Sequence, residues 1–236
     1  MKEINARLKE RAHEFGVYLR HLKHVENQLK KPNTGNKRRG GDLPTGDVFI
    51  SMKAACFLML YNLVETTIRA SMAEIYNVIR QQKCALRDVS EHLQDVWINQ
   101  RFWLAPHEAT PATYRDRAAR MLRETMSGQA LALKADHLPI GGNINADVLR
   151  KLCKDHGVTL QAPKQVRGGV ELQTIREQRN ALAHGDKSFI ECGREFAISD
   201  VYRIAKECLR FIRAFVVSVE RFIKTGGYRW PTGNRG

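Results

Sequence analysis

Acidic side chains are in short supply in this sequence of 236 residues, which has 25 aspartates and glutamates against 39 lysines and arginines. The formal net charge is therefore +14 at pH 7. So large an excess of positive charge argues against a cationic partner and favours a polyanion. Nucleic acid is the polyanion that we expect first.

The sequence also lacks a signal peptide and a long uninterrupted apolar span. Its first residues, MKEINARLKERAHEF, have the mixed charged and apolar pattern of an amphipathic helix. We therefore expect no membrane insertion. The length and the 43% hydrophobic content suffice for one sizeable core, so we expect a single domain over residues 1–236.

Cysteine is sparse as well, with five scattered residues and no CxxC pair. An odd number of cysteines embedded in apolar helical patterns is typical of reduced core residues, which indicates a cytoplasmic protein. The nearest approach to a metal pair, Cys153 with His156, lacks two further ligands close by in sequence. We expect neither a metal site nor a cofactor.

What the sequence does contain is apolar side chains at spacings of three, four and seven, the pattern of an all-α bundle. The first helix is predicted over residues 3–30, followed by a basic loop over residues 31–46. A second helix over about residues 47–80, with Asp47 as its N-cap, carries the apolar block AACFLMLYNLV and should be central.

Residues 82–142 are harder to interpret and are treated as a helical insertion of uncertain role. Within them, Thr110 followed by proline predicts the start of a helix whose arginines favour an ordinary solvated surface over an RNA track. These arginines are Arg115, Arg117, Arg120 and Arg123. Asn145 then predicts the N-cap of a helix that ends at Gly157.

The last third of the chain predicts a helix up to Gly185, a small β-hairpin and a final helix. The hairpin is suggested by Gly193 in the middle of SFIECGREFAIS. The final helix should begin at Ser199 or Asp200 and pack through a regular apolar stripe. The stripe consists of Val201, Ile204, Cys208, Phe211, Phe215, Val219 and Phe222. Residues 226–236 are expected to form a flexible tail.

The segment RNALAHG, residues 179–185, is the strongest candidate for a site of chemistry. An Arg followed five residues later by a His is a weak signal alone, since Arg87 and His92 show the same spacing. Asn180 directly after Arg179 makes the full pattern with His184 much rarer by chance.

Helical geometry supports the same residues. At about 100° per residue, Arg179 falls in the middle of an apolar face. That face is formed by Leu172, Ile175, Leu182 and Ala183. A guanidinium in an apolar stripe breaks the binary pattern, and such violations concentrate at functional sites. Arg176, Asn180 and His184 extend the adjoining edge. A plain helix C-terminus explains His184 but leaves Arg179 unexplained.

RNALAHG resembles the Arg-polar-x3-His signature of HEPN domains, and the second and final helices are similar in style to a MAE-like branch found in bacterial defence. The resemblance implies a metal-independent endoribonuclease, acting as a toxin or phage-defence effector, in which the ribose 2′-OH attacks the adjacent phosphate. His184 would transfer protons, Arg179 would bind phosphate, Asn180 would orient His184 or a phosphate oxygen, and Arg176 would attract substrate.

Two further expectations concern support and assembly. Glu65 breaks the apolar row of the second helix and is a candidate to hold Arg179 or tune His184, although a salt bridge elsewhere is the simpler reading. A homodimer would give one phosphate two copies of His184, one as base and one as acid. Besides RNA, the expected partners include a cognate antitoxin or another defence-system protein.

Two other classes of function stay open at this point. A catalytically silent HEPN-like module would bind nucleic acid, a nucleotide or a protein partner without cleaving it, because retention of a motif does not prove catalysis. A DNA-binding accessory of a restriction system is the third reading, for which the sequence offers no helix-turn-helix signature.

Overall fold

The computed structural model describes residues 1–31, 46–103 and 110–231, except for the side chain of residue 103. These residues form eight α-helices, and the only β contact among them is an isolated bridge between Val89 and Arg229. The helices are α1 (Lys2–Leu29), α2 (Gly46–Gln81), α3 (Glu91–Trp103), α4 (Pro111–Met126), α5 (Ala146–Asp155), α6 (Glu171–His184), α7 (Phe189–Arg194) and α8 (Ile198–Lys224). The all-α prediction is confirmed.

Helix α2 is the central element, because α1, α6, α7 and α8 all pack against it. Its buried residues run from Lys53 to Ile79, so it is surrounded along most of its length. Among the described residues it is also the one helix long and apolar enough to cross a membrane by length and composition alone. Its position at the centre of the bundle accounts for that apolar composition.

The two long flanking helices follow their predicted patterns closely. All seven residues of the stripe predicted for α8 are buried, and the helix begins at Ile198, one residue before the predicted start. On α1, Ile4, Leu8, Phe15, Leu19 and Leu22 are buried at the helical spacing of three, four and seven, but Leu29 is exposed at the helix end. Asp47 lies in the first turn of α2 instead of capping it.

The β-hairpin predicted after α6 is wrong, because Phe189–Arg194 forms the short helix α7. Ser188 caps it: its hydroxyl accepts from the Glu191 backbone N–H, and the Glu191 carboxylate accepts from the Ser188 N–H. Gly193, which suggested a turn, instead allows close contact with α2. A Cβ at this position would lie only 2.0 Å from the carbonyl oxygen of Ile50.

The described part of residues 82–142 contains α3, α4 and two short 3-10 turns. Leu93 and Trp97 of α3 are buried, whereas α4 has no buried residue. Thr110 caps α4 and Asn145 caps α5, each through its side-chain oxygen, as predicted. Helix α5 ends just before Gly157, which has the left-handed φ of 73°.

Two predicted segments lie partly outside the described residues. Most of the basic loop predicted for residues 31–46 is one, and the end of the tail predicted for residues 226–236 is the other. In the described part of that tail Tyr228 is buried, and its carbonyl accepts from the backbone N–H of Ser90 at 2.9 Å. This part of the tail is therefore packed against the start of α3.

Candidate functional site

The site residues predicted from RNALAHG lie on the second half of α6. This helix packs on α2 and α8 through Leu172, Ile175 and Leu182, which are buried, while Ala183 is exposed and does not belong to the apolar face. The helix ends at Gly185, whose φ of 80° is the left-handed conformation of a glycine C-cap.

Arg179 is half-buried and is held by two contacts. Its guanidinium carbon lies 4.6 Å from the centre of the Tyr61 ring, a cation–π contact with α2. Its Nη1 donates a 2.9 Å hydrogen bond to Oδ1 of Asn180. The side chain forms no ion pair with any described acidic residue, so most of its five N–H donors are available to an anion.

The chain that leads into α5 forms one wall of this site. Asn143 accepts a 3.4 Å hydrogen bond at Oδ1 from Nδ2 of Asn180, and the backbone N–H of Ile144 donates to the Tyr61 hydroxyl at 3.3 Å. A Cβ at Gly142 would lie 3.6 Å from Nη1 of Arg179. The loop therefore packs directly against the guanidinium and its supporting ring.

His184 is the last residue of α6 and its side chain is exposed. No hydrogen bond or ion pair reaches it from the described part of the chain, so its imidazole is available for proton transfer. The predicted contact between Asn180 and His184 is not formed, since Asn180 bonds Arg179 and Asn143 instead. Arg176 is half-buried on the turn before Arg179.

Glu65 does not support Arg179 as the sequence had suggested. Its Oε1 accepts from both Nε and Nη2 of Arg69, each at 3.0 Å, in a pair one helical turn apart on α2. Its charge still acts on the site through Tyr61. Burial raises the pKa of Tyr61, the hydrogen bond from Ile144 opposes that rise, and the Glu65 carboxylate adds to it. Tyr61 is therefore a neutral phenol at pH 7.

A family model for MAE_28990-like HEPN matches residues 1–228 of the chain. The chain belongs to the HEPN family. No curated protein and no solved structure gives a significant match. The matched length includes residues 82–142, so the segment treated as an insertion lies within the HEPN match.

The described residues around RNALAHG offer no cluster of metal ligands. In residues 1–31, 46–103 and 110–231, no three His, Cys, Asp or Glu side chains are placed to hold an ion together. All five cysteines are free and buried, including Cys153, which the sequence had paired with His156 as the nearest approach to a metal site.

Sequence reasoning missed Tyr61, Gly142 and Asn143 as parts of this candidate site. Tyr61 could have been found from the sequence. It lies one helical turn before the candidate Glu65 on the core face of α2, and residues four apart on a helix are neighbours. Asn143 had none, since it is 37 residues from Asn180 and only the fold brings the two amides together.

Proposed function

We propose that this HEPN protein is an endoribonuclease that cleaves RNA without a metal ion. One observation carries the proposal: Arg179 is anchored over Tyr61 with most of its donors unpaired, and the unpartnered His184 lies about one and a half turns further along the same helix. A fixed cation for phosphate and a free imidazole are the two groups that transphosphorylation needs.

The reaction that we assign to these groups is attack by a ribose 2′-oxygen on the adjacent phosphorus. The proton of the 2′-OH passes to His184, the bond from phosphorus to the 5′-oxygen breaks, and that oxygen takes up a proton from a general acid. The products are a 2′,3′-cyclic phosphate and a 5′-hydroxyl. Arg179 offsets the charge that grows on the phosphate oxygens, and Asn180 keeps its guanidinium in position.

Arg176 has a supporting part in this proposal. It is half-buried one turn before Asn180, where its charge attracts the substrate strand toward Arg179. In the cell we propose a role as a toxin or phage-defence effector, so expression of the wild-type chain should arrest growth. The same chain with His184→Ala should not.

The test is an RNA-cleavage assay with purified wild-type protein and with His184→Ala and Arg179→Ala variants, all in excess chelator. We expect cyclic phosphate ends from the wild type and a loss of at least about 100-fold in each variant. His21→Ala, at another exposed histidine, is the matched control and should cleave normally. Circular dichroism of each variant checks that it stays folded.

Two outcomes would count against the proposal. Activity that disappears with chelator and returns with a divalent ion would contradict metal independence, and full activity in both folded site variants would contradict the site. Wild-type protein that binds RNA tightly without cutting it would instead support the silent binding module.

A further inference from the structure

Helix α8 turns one face into the core and the opposite face carries a row of cations. We define the α8 basic face as the five exposed residues Arg203, Lys206, Arg210, Arg213 and Arg221. The first four follow one another at spacings of three, four and three, so they lie on one side of the helix. None of these residues belongs to the site on α6.

The middle of this face is not neutralised by the protein. Lys206, Arg210 and Arg213 form no hydrogen bond or ion pair with any residue that the structure describes. The nearby acids on α8 are otherwise engaged: Glu207 contacts Arg167 and Arg203, and Glu220 contacts Lys224.

Two grooves run along this face. One, of about 700 Å³, lies between α8 and α1, and the other, of about 560 Å³, lies between α8 and the chain at residues 161–165. Arg210 and Arg213 line both, and neither lining includes an acidic residue. A groove of about 420 Å³ between α1 and α2 is different, because Glu10 and Glu14 line it.

We propose that the α8 basic face binds the phosphate backbone of single-stranded RNA as a second contact, separate from the cleavage site. The proposal rests on RNA being the substrate, as proposed above. Lys206 and Arg213 are about 10 Å apart along the helix axis, the length of roughly three stacked nucleotides. At roughly 3.4 Å per stacked nucleotide, the three unpaired cations span about four consecutive phosphates.

The surface fits RNA better than an anionic membrane. A helix that lies in a membrane interface inserts an apolar face, and the apolar face of α8 is buried in the bundle. Only Val217 is a large exposed apolar side chain among the residues that line the two grooves. A basic face with little apolar surface beside it binds nucleic acid chiefly through contacts to the phosphates.

The experiment measures binding of a labelled 15-nucleotide oligouridine by fluorescence anisotropy at several salt concentrations. The protein is the full chain with His184→Ala, so that cleavage does not interfere. The test variant adds Lys206→Gln, Arg210→Gln and Arg213→Gln. The matched control adds Arg115→Gln, Arg120→Gln and Arg123→Gln, which remove the same charge from the exposed face of α4.

We expect the test variant to raise Kd at least about tenfold and to lower the slope of log K against log salt by about 2, since each phosphate contact contributes about 0.7. The control should change Kd less than about twofold. Equal weakening in both variants would show that only net charge matters, and an unchanged Kd in the test variant would show that RNA binds elsewhere; either overturns the proposal.

Further outcomes separate this proposal from the one on α6. If the protein binds phosphatidylserine vesicles or polyglutamate but does not bind the oligonucleotide, the α8 basic face has another partner. That result would also overturn the proposal. Normal RNA cleavage by the His184→Ala protein, together with lost binding in the α8 variant, would refute the site on α6 and leave the α8 basic face standing.

Discussion

At the scale of single residues, Arg179 shows how a positively charged guanidinium is accommodated beside the hydrophobic core. Its guanidinium lies over the Tyr61 ring, so the aromatic face provides an electrostatic partner without an acid that would compete with phosphate. The Tyr61 hydroxyl is used separately, as the acceptor for the Ile144 backbone N–H. One side chain therefore has two functions that substitution can separate.

Tyr61→Phe should lower stability and leave catalysis nearly intact. The variant keeps the ring under Arg179 but leaves the buried N–H of Ile144 without an acceptor, which costs about 1–3 kcal/mol of unfolding free energy. Tyr61→Leu should also lower RNA cleavage, because the ring is lost. Urea unfolding and the cleavage assay measure the two effects, and equal cleavage by both variants would refute the role of the ring.

His156 is a buried titratable residue far from the motif. Its Nδ1 lies 2.8 Å from the Leu152 carbonyl oxygen, so that nitrogen must carry the proton, and Nε2 accepts from the Tyr76 hydroxyl at 2.7 Å. Burial lowers the pKa of His156 from 6.5 to about 4. The folded protein therefore holds this imidazole neutral where the unfolded chain would protonate it.

Acid should consequently destabilise the protein through His156. Between pH 6.5 and about 4 the unfolded state binds one more proton, so the unfolding free energy falls as pH falls, by roughly 3 kcal/mol in total. Urea unfolding at pH 7, 6 and 5 measures the slope. The glutamine in His156→Gln does not titrate, so the unfolding free energy of this variant should change less with pH, by the equivalent of up to one proton. An identical pH dependence in both proteins would contradict the lowered pKa of His156.

At the scale of elements, two helical glycines have opposite surroundings. On α7, a Cβ at Gly193 would collide with the α2 backbone, 2.0 Å from the Ile50 oxygen. On α1, a Cβ at Gly16 would meet only the end of the Arg20 side chain, at 3.5 Å. The first glycine is needed for packing between helices, whereas the second only weakens its own helix.

The same substitution should therefore have opposite effects at the two positions. Gly16→Ala should raise the unfolding free energy by about 0.5–1 kcal/mol, because alanine loses less backbone entropy in a helix. Gly193→Ala should lower it by more than about 1 kcal/mol, since α7 must move away from α2. Denaturant unfolding of both variants checks the pair, and a stabilised Gly193→Ala protein would refute the close packing of α7.

At the scale of the whole molecule, the apolar residues of α6 do not provide a surface for a second chain. Leu172, Ile175 and Leu182 are already buried against α2 and α8, so these side chains are not available to a second chain. The exposed edge with His184 is what remains for a partner. A homodimer with a composite site stays a prediction, because one chain offers a single His184 for two proton transfers.

Mixing wild-type chains with excess His184→Ala chains tests the dimer. If two copies of His184 serve one phosphate, cleavage per wild-type chain should fall as mixed dimers form, since each mixed site lacks one proton-transfer group. Independent sites predict no change on mixing. Sedimentation at the assay concentration gives the assembly state, and an active monodisperse monomer would rule the composite site out.

The sequence by itself determined the features that depend on neighbours within a few residues. Helix ends at Thr110, Asn145 and Gly185 agree with the structure because a cap bonds its own first or last turn. The buried stripe of α8 agrees because its period alone selects the core face. The candidate motif RNALAHG could be recognised for the same reason, since its residues from Arg179 to His184 lie on one helix.

Only the tertiary structure decided the features that depend on distant segments. Gly193 could not be distinguished from a turn residue until α2 was seen to approach it, and Glu65 could not be assigned to Arg69 over Arg179 from spacing alone. Asn143 and Tyr61 join Asn180 and Arg179 across 37 and 118 residues of chain. Such contacts arise from packing of the whole bundle, which no local pattern encodes.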